Sequence, residues 1–270
     1  MTEVFKSISL SDRSTWAGLR VVAVDIDGTL TTRGRFPAEV IASLSLLQSR
    51  GIKVCLVTGR PSGWVQGLAT YLPVDAAIAE NGGVIFLGPE TQPLVRDAQT
   101  GNYVATGDEH SRGTLQKMFL QLNSAHPHLR VTEDNHYRLS DFTFHVSGLA
   151  TDVLSALKVK VENSGLAFTW STIHAHIMPR GQEKGAALEW LLGRWGIDSR
   201  PATTTLTIGD SPNDASLFCA DKFPLSAGVA NIVKYRDLME HYPRIISTLP
   251  EADGFIEIVN TLLKIKSENL

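Results

Sequence analysis

The sequence predicts an α/β protein: a doubly wound parallel sheet interrupted by a smaller α+β insert. Three observations carry this. Short β-branched apolar runs alternate with helical periodicities in the first third of the chain. Each of those runs stops abruptly at polar or glycine residues, as strands of an open parallel sheet do where they meet a ligand. The alternation lapses near residue 84 and returns near residue 177.

Residues 1–17 read as a mobile lead-in. The run Leu19–Val24 is short, β-branched and bounded by Gly18, which marks a buried strand. It ends in Asp25-Ile26-Asp27-Gly28-Thr29-Leu30-Thr31. Thr31–Phe36 is a polar loop, and Pro37 opens a helix over Pro37–Arg50 with Val40, Ile41, Leu44 and Leu47 on one face. Gly51 caps it. A strand over Lys53–Val57 ends at Thr58-Gly59-Arg60, a helix spans Ser62–Tyr71, and a third strand, Ala76–Ala79, ends at Glu80-Asn81-Gly82-Gly83. Right-handed helical crossovers make these strands parallel, with all three polar ends on one edge.

Beyond Val84 the texture is α+β. Strands are expected at Val84–Leu87, Leu139–Val146 and Ala167–Ser171, helices at Gly113–Ser124 and Thr151–Ser164, with polar connections over Gly88–Gly107 and Glu133–His136. The α/β texture resumes with a helix over Glu183–Trp195 and a strand over Thr203–Ile208 that ends at Gly209-Asp210-Ser211-Pro212-Asn213-Asp214. Ala215–Ala220, Lys222–Leu225 and a helix over Gly254–Lys264 complete the chain. The expected division is a core of residues 1–83 and 177–270, with residues 84–176 inserted.

Composition narrows the function classes. The chain has 270 residues, 43% hydrophobic and 20% charged, which suits a soluble globular protein. A net charge of −3 gives no electrostatic case for nucleic acid or a membrane surface. No apolar run approaches the ~20 residues of a membrane-spanning helix, and Met1–Leu10 holds no signal-peptide core. The two cysteines, Cys55 and Cys219, lie in apolar surroundings and read as buried free thiols. A cytoplasmic monomer or homodimer acting on a small molecule is the expectation.

Asp25 and Asp27 carry the chemistry. Residues i and i+2 of a strand share a face, so both carboxyl groups reach one site. Such a pair ionises together only with a cation or hydrogen bonds to compensate, and a hard cation such as Mg²⁺ suits oxygen ligands and brings phosphate with it. Alone, the pair equally fits a turn with two solvated aspartates. Likewise Thr58 fits a plain turn, Asp214 a first-turn helix carboxylate and Lys184 a solvated lysine.

Together and in this order, Asp25-x-Asp27-Gly28-Thr29, Thr58-Gly59-Arg60, Lys184 and Gly209–Asp214 resemble the haloacid dehalogenase (HAD) superfamily of phosphotransferases, in its class with a large α/β cap (Cof-type, class IIB). The resemblance covers nearly the whole chain after residue 17. It implies a Rossmann-like core with an inserted α+β cap domain that sets specificity. It also implies Asp25 as nucleophile, Asp27 as general acid/base, and Thr58 and Lys184 on the phosphoryl oxygens. Mg²⁺ is implied at Asp25, the Asp27 backbone carbonyl and Asp210, with Asp214 helping to hold it.

Three further stretches narrow the resemblance. Glu80-Asn81-Gly82-Gly83 resembles the Cof-type cap entry. His176-Ile177-Met178-Pro179-Arg180-Gly181-x-x-Lys184 resembles the cap exit of archaeal phosphoglycolate phosphatases and the related sucrose-phosphate phosphatases. Ala230-Asn231 resembles a pair at the active-site edge of the same proteins. The implied function is Mg²⁺-dependent hydrolysis of a small phosphorylated metabolite, a sugar phosphate such as sucrose phosphate, or phosphoglycolate. Mannosyl-3-phosphoglycerate phosphatases, phosphotransferases and a non-catalytic binding protein are the alternatives. Gly59, Arg60, Glu80, Asn81, Arg180, Asn231, His174 and His176 are the expected substrate-binding residues. Arg138, Ser140, Asp141 and His145 are further candidates from the insert. Among the five tryptophans a sugar-stacking platform is possible, with Trp190 and Trp195 reading as packing residues.

Overall fold

The apolar run before Asp25 forms β1 (Val21–Val24), a fully buried strand near the middle of a nine-stranded sheet. The computed structural model describes residues 16, 18–89, 91–105, 109–171, 174–197 and 202–267. Apart from Trp16, the expected lead-in lies outside the described residues; Trp16 itself is buried in the core. After β1 come α1 (Ala38–Ser49), β2 (Lys53–Val57), α2 (Ser62–Tyr71) and β3 (Ala76–Ala79). Pro37 stands at the N-cap of α1, in extended backbone.

At β3 the chain reverses. Glu80, Asn81 and Gly82 all take positive φ, at 53°, 52° and 100°. This tight turn lays β4 (Val84–Phe86) antiparallel on β3, and β5 (Leu94–Arg96) and β6 (Tyr103–Val104) follow on the same sheet. The expected boundary at residue 84 therefore differs from the sheet membership. Val84 to Val104 extends the large sheet, and the expected polar connection Gly88–Gly107 contains two of its strands.

A separate unit follows: α3 (Glu109–Ala125), β7 (Phe142–His145), α4 (Thr151–Asn163), β8 (Leu166–Trp170) and β9 (His174–Pro179). Its antiparallel sheet has the order β7-β9-β8, so β9 is central and runs past the expected limit at residue 176. β7 is shorter than expected because Leu139 and Ser140 donate their N–H groups to the Glu80 carboxylate instead of a ladder. Period-two alternation divides the faces. Phe142, Phe144, Phe168, Ala175 and Ile177 pack under α3 and α4. In register on the other face lie Thr143, His176 and Thr169, with His145 beside His174.

The chain then re-enters the large sheet through α5 (Lys184–Arg194), β10 (Thr205–Gly209), a 3₁₀ segment over Pro212–Phe218, β11 (Leu225–Gly228), β12 (Ile245–Ile246) and α6 (Glu251–Ser267). β11 begins just after Pro224, since proline has no N–H for the ladder. The sheet order is β12-β11-β10-β1-β2-β3-β4-β5-β6, parallel from β12 to β3. One face packs on α1, α2 and α6, the other on α5. Full burial of a residue such as Leu44 or Leu191 contributes ~1.5–3 kcal/mol, and dozens do so here. Among the described residues no helix is long and apolar enough to cross a membrane.

Candidate active site

Parallel register builds the site. Val24 of β1 lies level with Leu56 of β2 and Ile208 of β10, so Asp25, Thr58 and Asp210 emerge together beyond one edge of the sheet. Lys184, the first residue of α5, enters from the side. Its Nζ donates to Asp25 Oδ1 and to Asp214 Oδ1, both at 2.6 Å, and all three side chains are buried. A cation at a helix start has no dipole to favour it; these two carboxylates supply its reason.

Asp214 is committed twice over. Its Oδ2 accepts from the Asp210 and Ser211 backbone N–H groups at 3.0 and 3.1 Å, the second closing a capping box at the 3₁₀ segment. Asp214 thus shapes the loop and anchors Lys184. Asp210 is different: Oδ2 accepts from Asn231 Nδ2 at 2.7 Å, while Oδ1 is buried with no partner.

Carboxylate oxygens of Asp25, Asp210 and Asp214 lie within 4.8 Å of one another. Burial, against the opposing charge of Lys184, pushes Asp25 well above the usual carboxylate range, and Asp214, Asp210 and Asp27 add to it. Burial and Asp214 raise Asp210 to about 7. An orphaned carboxylate oxygen within a cluster of repelling, all-oxygen donors is the environment a hard dication satisfies. Asp25 and Asp210 fit the role of ligands, with Asp214 behind them.

Asp27 does not join that cluster by its carboxylate. Arg60 donates to both of its oxygens, Nε to Oδ2 at 2.7 Å and Nη2 to Oδ1 at 2.6 Å. The guanidinium also stacks on Trp64, 5.3 Å from the ring centre. Thr58 Oγ1 accepts from the Arg60 N–H at 3.1 Å, which leaves its own proton free for a ligand oxygen. Gly28, at φ +81°, admits Asp210: a Cβ there would stand 2.6 Å from Asp210 Oδ2.

These groups surround a cavity of about 280 Å³ between the large sheet and the small one. Asp25, Asp27, Thr58, Gly59, Arg60, Asp210 and Asn231 line it from one side, and His174 and His176 from the other. Other expected residues lie elsewhere. Glu80 is fully buried, its carboxylate accepting from the N–H groups of Ser62, Leu139 and Ser140 and from Ser140 Oγ, so it ties the two units together rather than meeting a substrate. Asn81 accepts from Asn213 Nδ2 at 3.3 Å and faces a second cavity. Arg180 is exposed; the Gly181 turn carries it away, and its carbonyl accepts from Arg96.

Arg138, Ser140, Asp141 and His145 are likewise absent from the cavity lining, though Arg138 and Asp141 back it from within the small unit. None of the five tryptophans lines it; Trp190 packs on Tyr103, with ring centres 4.8 Å apart. Cys55 is buried and Cys219 half-buried, both free. Sequence reasoning missed Ser171, Lys234 and Tyr235 on the cavity wall. Lys234 lies three residues after Asn231, and that spacing was the available signal.

The resemblance to other proteins runs along almost the whole chain. The family described as Sucrose-6F-phosphate phosphohydrolase matches residues 19–260. Phosphoglycolate phosphatase 1 of Saccharolobus solfataricus is 30% identical over 253 residues, 91% of this chain and 96% of that protein. Phosphoglycolate phosphatase of Archaeoglobus fulgidus is 29% identical over 248 residues, 90% and 96% of the two chains. Among solved structures, protein 0175 of Thermoplasma acidophilum superposes with a TM-score of 0.68 at 22% identity, covering 91% of this chain and 98% of that one. The sucrose-phosphatase of Synechocystis sp. PCC6803, solved with sucrose and phosphate, superposes with a TM-score of 0.63 at 17% identity, over 90% and 97%. These superpositions establish a shared fold.

Proposed function

The chain belongs to the Sucrose-6F-phosphate phosphohydrolase family, within the HAD superfamily, and from that premise we propose that it hydrolyses a small phosphate monoester through an aspartyl phosphate on Asp25, with Mg²⁺ as cofactor. It is a phosphoric monoester hydrolase of the HAD type. The observation that carries the mechanism is the ion pair at Asp25. Lys184 holds Oδ1 at 2.6 Å, which fixes the carboxylate and leaves Oδ2 to attack phosphorus.

Thr58 donates its hydroxyl proton to a phosphoryl oxygen, since its oxygen already accepts from Arg60. Asp27 hands a proton to the leaving oxygen and later takes one from the attacking water. Mg²⁺ held by Asp25 and Asp210 would neutralise charge on the phosphoryl group and the carboxylates. The unpaired Oδ1 of Asp210 supports that reading. The small unit acts as the specificity cap, and its closure excludes water.

Phosphate release from a panel of phosphorylated metabolites, with Mg²⁺ or with chelator, tests the proposal in wild type and Asp25→Asn. Mg²⁺-dependent release from small esters, lost in the variant, is expected. Release that survives Asp25→Asn would overturn the covalent route.

A further inference from the structure

We propose that His176 recognises the leaving group by accepting, at Nε2, a hydrogen bond from a leaving-group hydroxyl, and that Asp141 is the positioning residue that fixes the required tautomer. The inference rests on the phosphatase reading above and adds the chemical class of the leaving group.

The geometry begins in the small sheet. His176 stands on the central strand β9, between Thr143 and Thr169, on the face turned away from α3 and α4. Its Nδ1 lies 2.8 Å from Asp141 Oδ2. Asp141 is fully buried and does not line the cavity, whereas His176 does. Nε2, across the ring, is therefore the polar atom on the cavity side. Among the described residues no protein group bonds it.

The tautomer follows from charge. Burial alone would raise Asp141, but Arg138 and His176 outweigh it and leave its carboxyl below the usual range. Arg138 Nη1 donates to both Asp141 oxygens at 3.0 Å. An ionised carboxylate only accepts, so the proton of the imidazole sits on Nδ1. Burial also holds His176 below its ordinary range, hence neutral, with a lone pair on Nε2. Beside it, His174 is held at about 4 by burial and by His176.

The cavity is thus asymmetric. Its charges lie on the floor and wall, with the carboxylates of Asp25, Asp27 and Asp210 beside Lys184, Arg60 and Lys234. Its ceiling holds no charge of its own and presents the His176 acceptor. Arg138 adds no charge there, because its donors go to Asp134, Asp141 and the Gly59 carbonyl. A leaving group with a hydroxyl satisfies Nε2, while a bare carboxylate would face a lone pair. The Arg138 bond to Gly59, 3.1 Å, sets this acceptor in register with the phosphate-binding loop after β2.

The test compares glycerol 3-phosphate with propyl phosphate, which lacks the hydroxyls, in wild type, His176→Phe and Asp141→Asn. Wild type should prefer the hydroxylated ester by at least about tenfold in kcat/KM, and both variants should bring that ratio towards one. Nitrogen-15 NMR of the wild type, with His176 assigned against His176→Phe, should show the proton on Nδ1. That measurement needs no substrate and no folded Asp141 variant. Equal use of both esters by the wild type, a proton on Nε2, or an unchanged ratio in Asp141→Asn would overturn the proposal alone. Release from neither ester, nor from p-nitrophenyl phosphate, would overturn the phosphatase reading and this proposal with it.

Discussion

Arg60 grips both carboxylate oxygens of Asp27, at 2.6 and 2.7 Å, so the proposed general acid/base is held by a cation from the neighbouring strand end. The pair is only partly buried, with side-chain exposures of 24% for Arg60 and 34% for Asp27, which leaves room to exchange partners when substrate arrives. Lysine cannot reproduce the two-point grip. Arg60→Lys should lower kcat by about tenfold, and Asp27→Asn by about 10²–10⁴. Steady-state rates on one substrate check both; a raised KM with kcat unchanged in Arg60→Lys would mean that Arg60 binds the substrate directly and that its grip on Asp27 is incidental.

Lys184 is the counter-charge of the whole site. Removing it leaves Asp25 and Asp214 buried with no cation. Lys184→Met should lower stability by about 3–5 kcal/mol in chelator and abolish turnover. Urea unfolding measures the first, phosphate release the second. An unchanged midpoint would show that the carboxylates take up protons at little cost instead.

Gly28 makes room for Asp210. Gly28→Ala forces a Cβ to 2.6 Å from Asp210 Oδ2 and strains a backbone at φ +81°. The strain alone costs about 1–2 kcal/mol. Displacement of Asp210 should also cut kcat/KM by about 10². Gly51→Ala is the control: φ is +71°, with nothing within 4 Å of the new Cβ, so stability falls and kcat/KM holds. Loss of activity in both variants would point to general destabilisation.

Acid should remove the stability contributed by a neutral, buried histidine. His174 titrates at about 4 in the native protein, below its ordinary range near 6.5. The unfolded chain therefore binds the proton first, so the contribution of His174 is full above about pH 6.5 and is lost progressively towards pH 4. His176 acts in the same direction. Asp134 adds a separate loss at lower pH: burial would raise it, but Arg138 holds it at about 2, so its contribution disappears as pH falls from about 4 to 2. Burial raises the carboxyls of Asp25, Asp210 and Glu80, which act in the opposite direction, so the wild type is compared with His174→Gln: the excess of the wild-type urea midpoint over that of the variant should shrink from pH 7 to 4. Parallel curves would exclude His174 as a source of the slope.

Legibility in the sequence tracked the distance over which each residue finds its partners. Lys53–Val57, Ser62–Tyr71 and Ala76–Ala79 occur as expected, because an apolar run with polar or glycine ends is local information. Asp25, Thr58 and Asp210 were legible for the same reason, each closing a parallel strand. Glu80 was not. Its partners, Leu139 and Ser140, lie some sixty residues away, and nothing near Glu80 distinguishes a carboxylate that meets a ligand from one that binds a distant backbone. The strands Leu94–Arg96 and Tyr103–Val104 are too short to show alternation. The Asp141–His176 bond joins residues 35 apart, the first just before β7 and the second on β9, and only the pairing of those two strands brings them together.

In the proposed mechanism Asp25 carries the phosphoryl group. Asp27→Asn should slow hydrolysis of the intermediate more than its formation from an ester with a good leaving group. The most direct measurement is therefore mass spectrometry of Asp27→Asn, quenched in acid within one turnover of p-nitrophenyl phosphate and digested. A phosphoryl group is expected on the peptide containing Asp25, and none on that peptide of Asp25→Asn treated alike. No phosphoryl group on that peptide in any quench, from protein that releases p-nitrophenol, would contradict it and assign the attack to water.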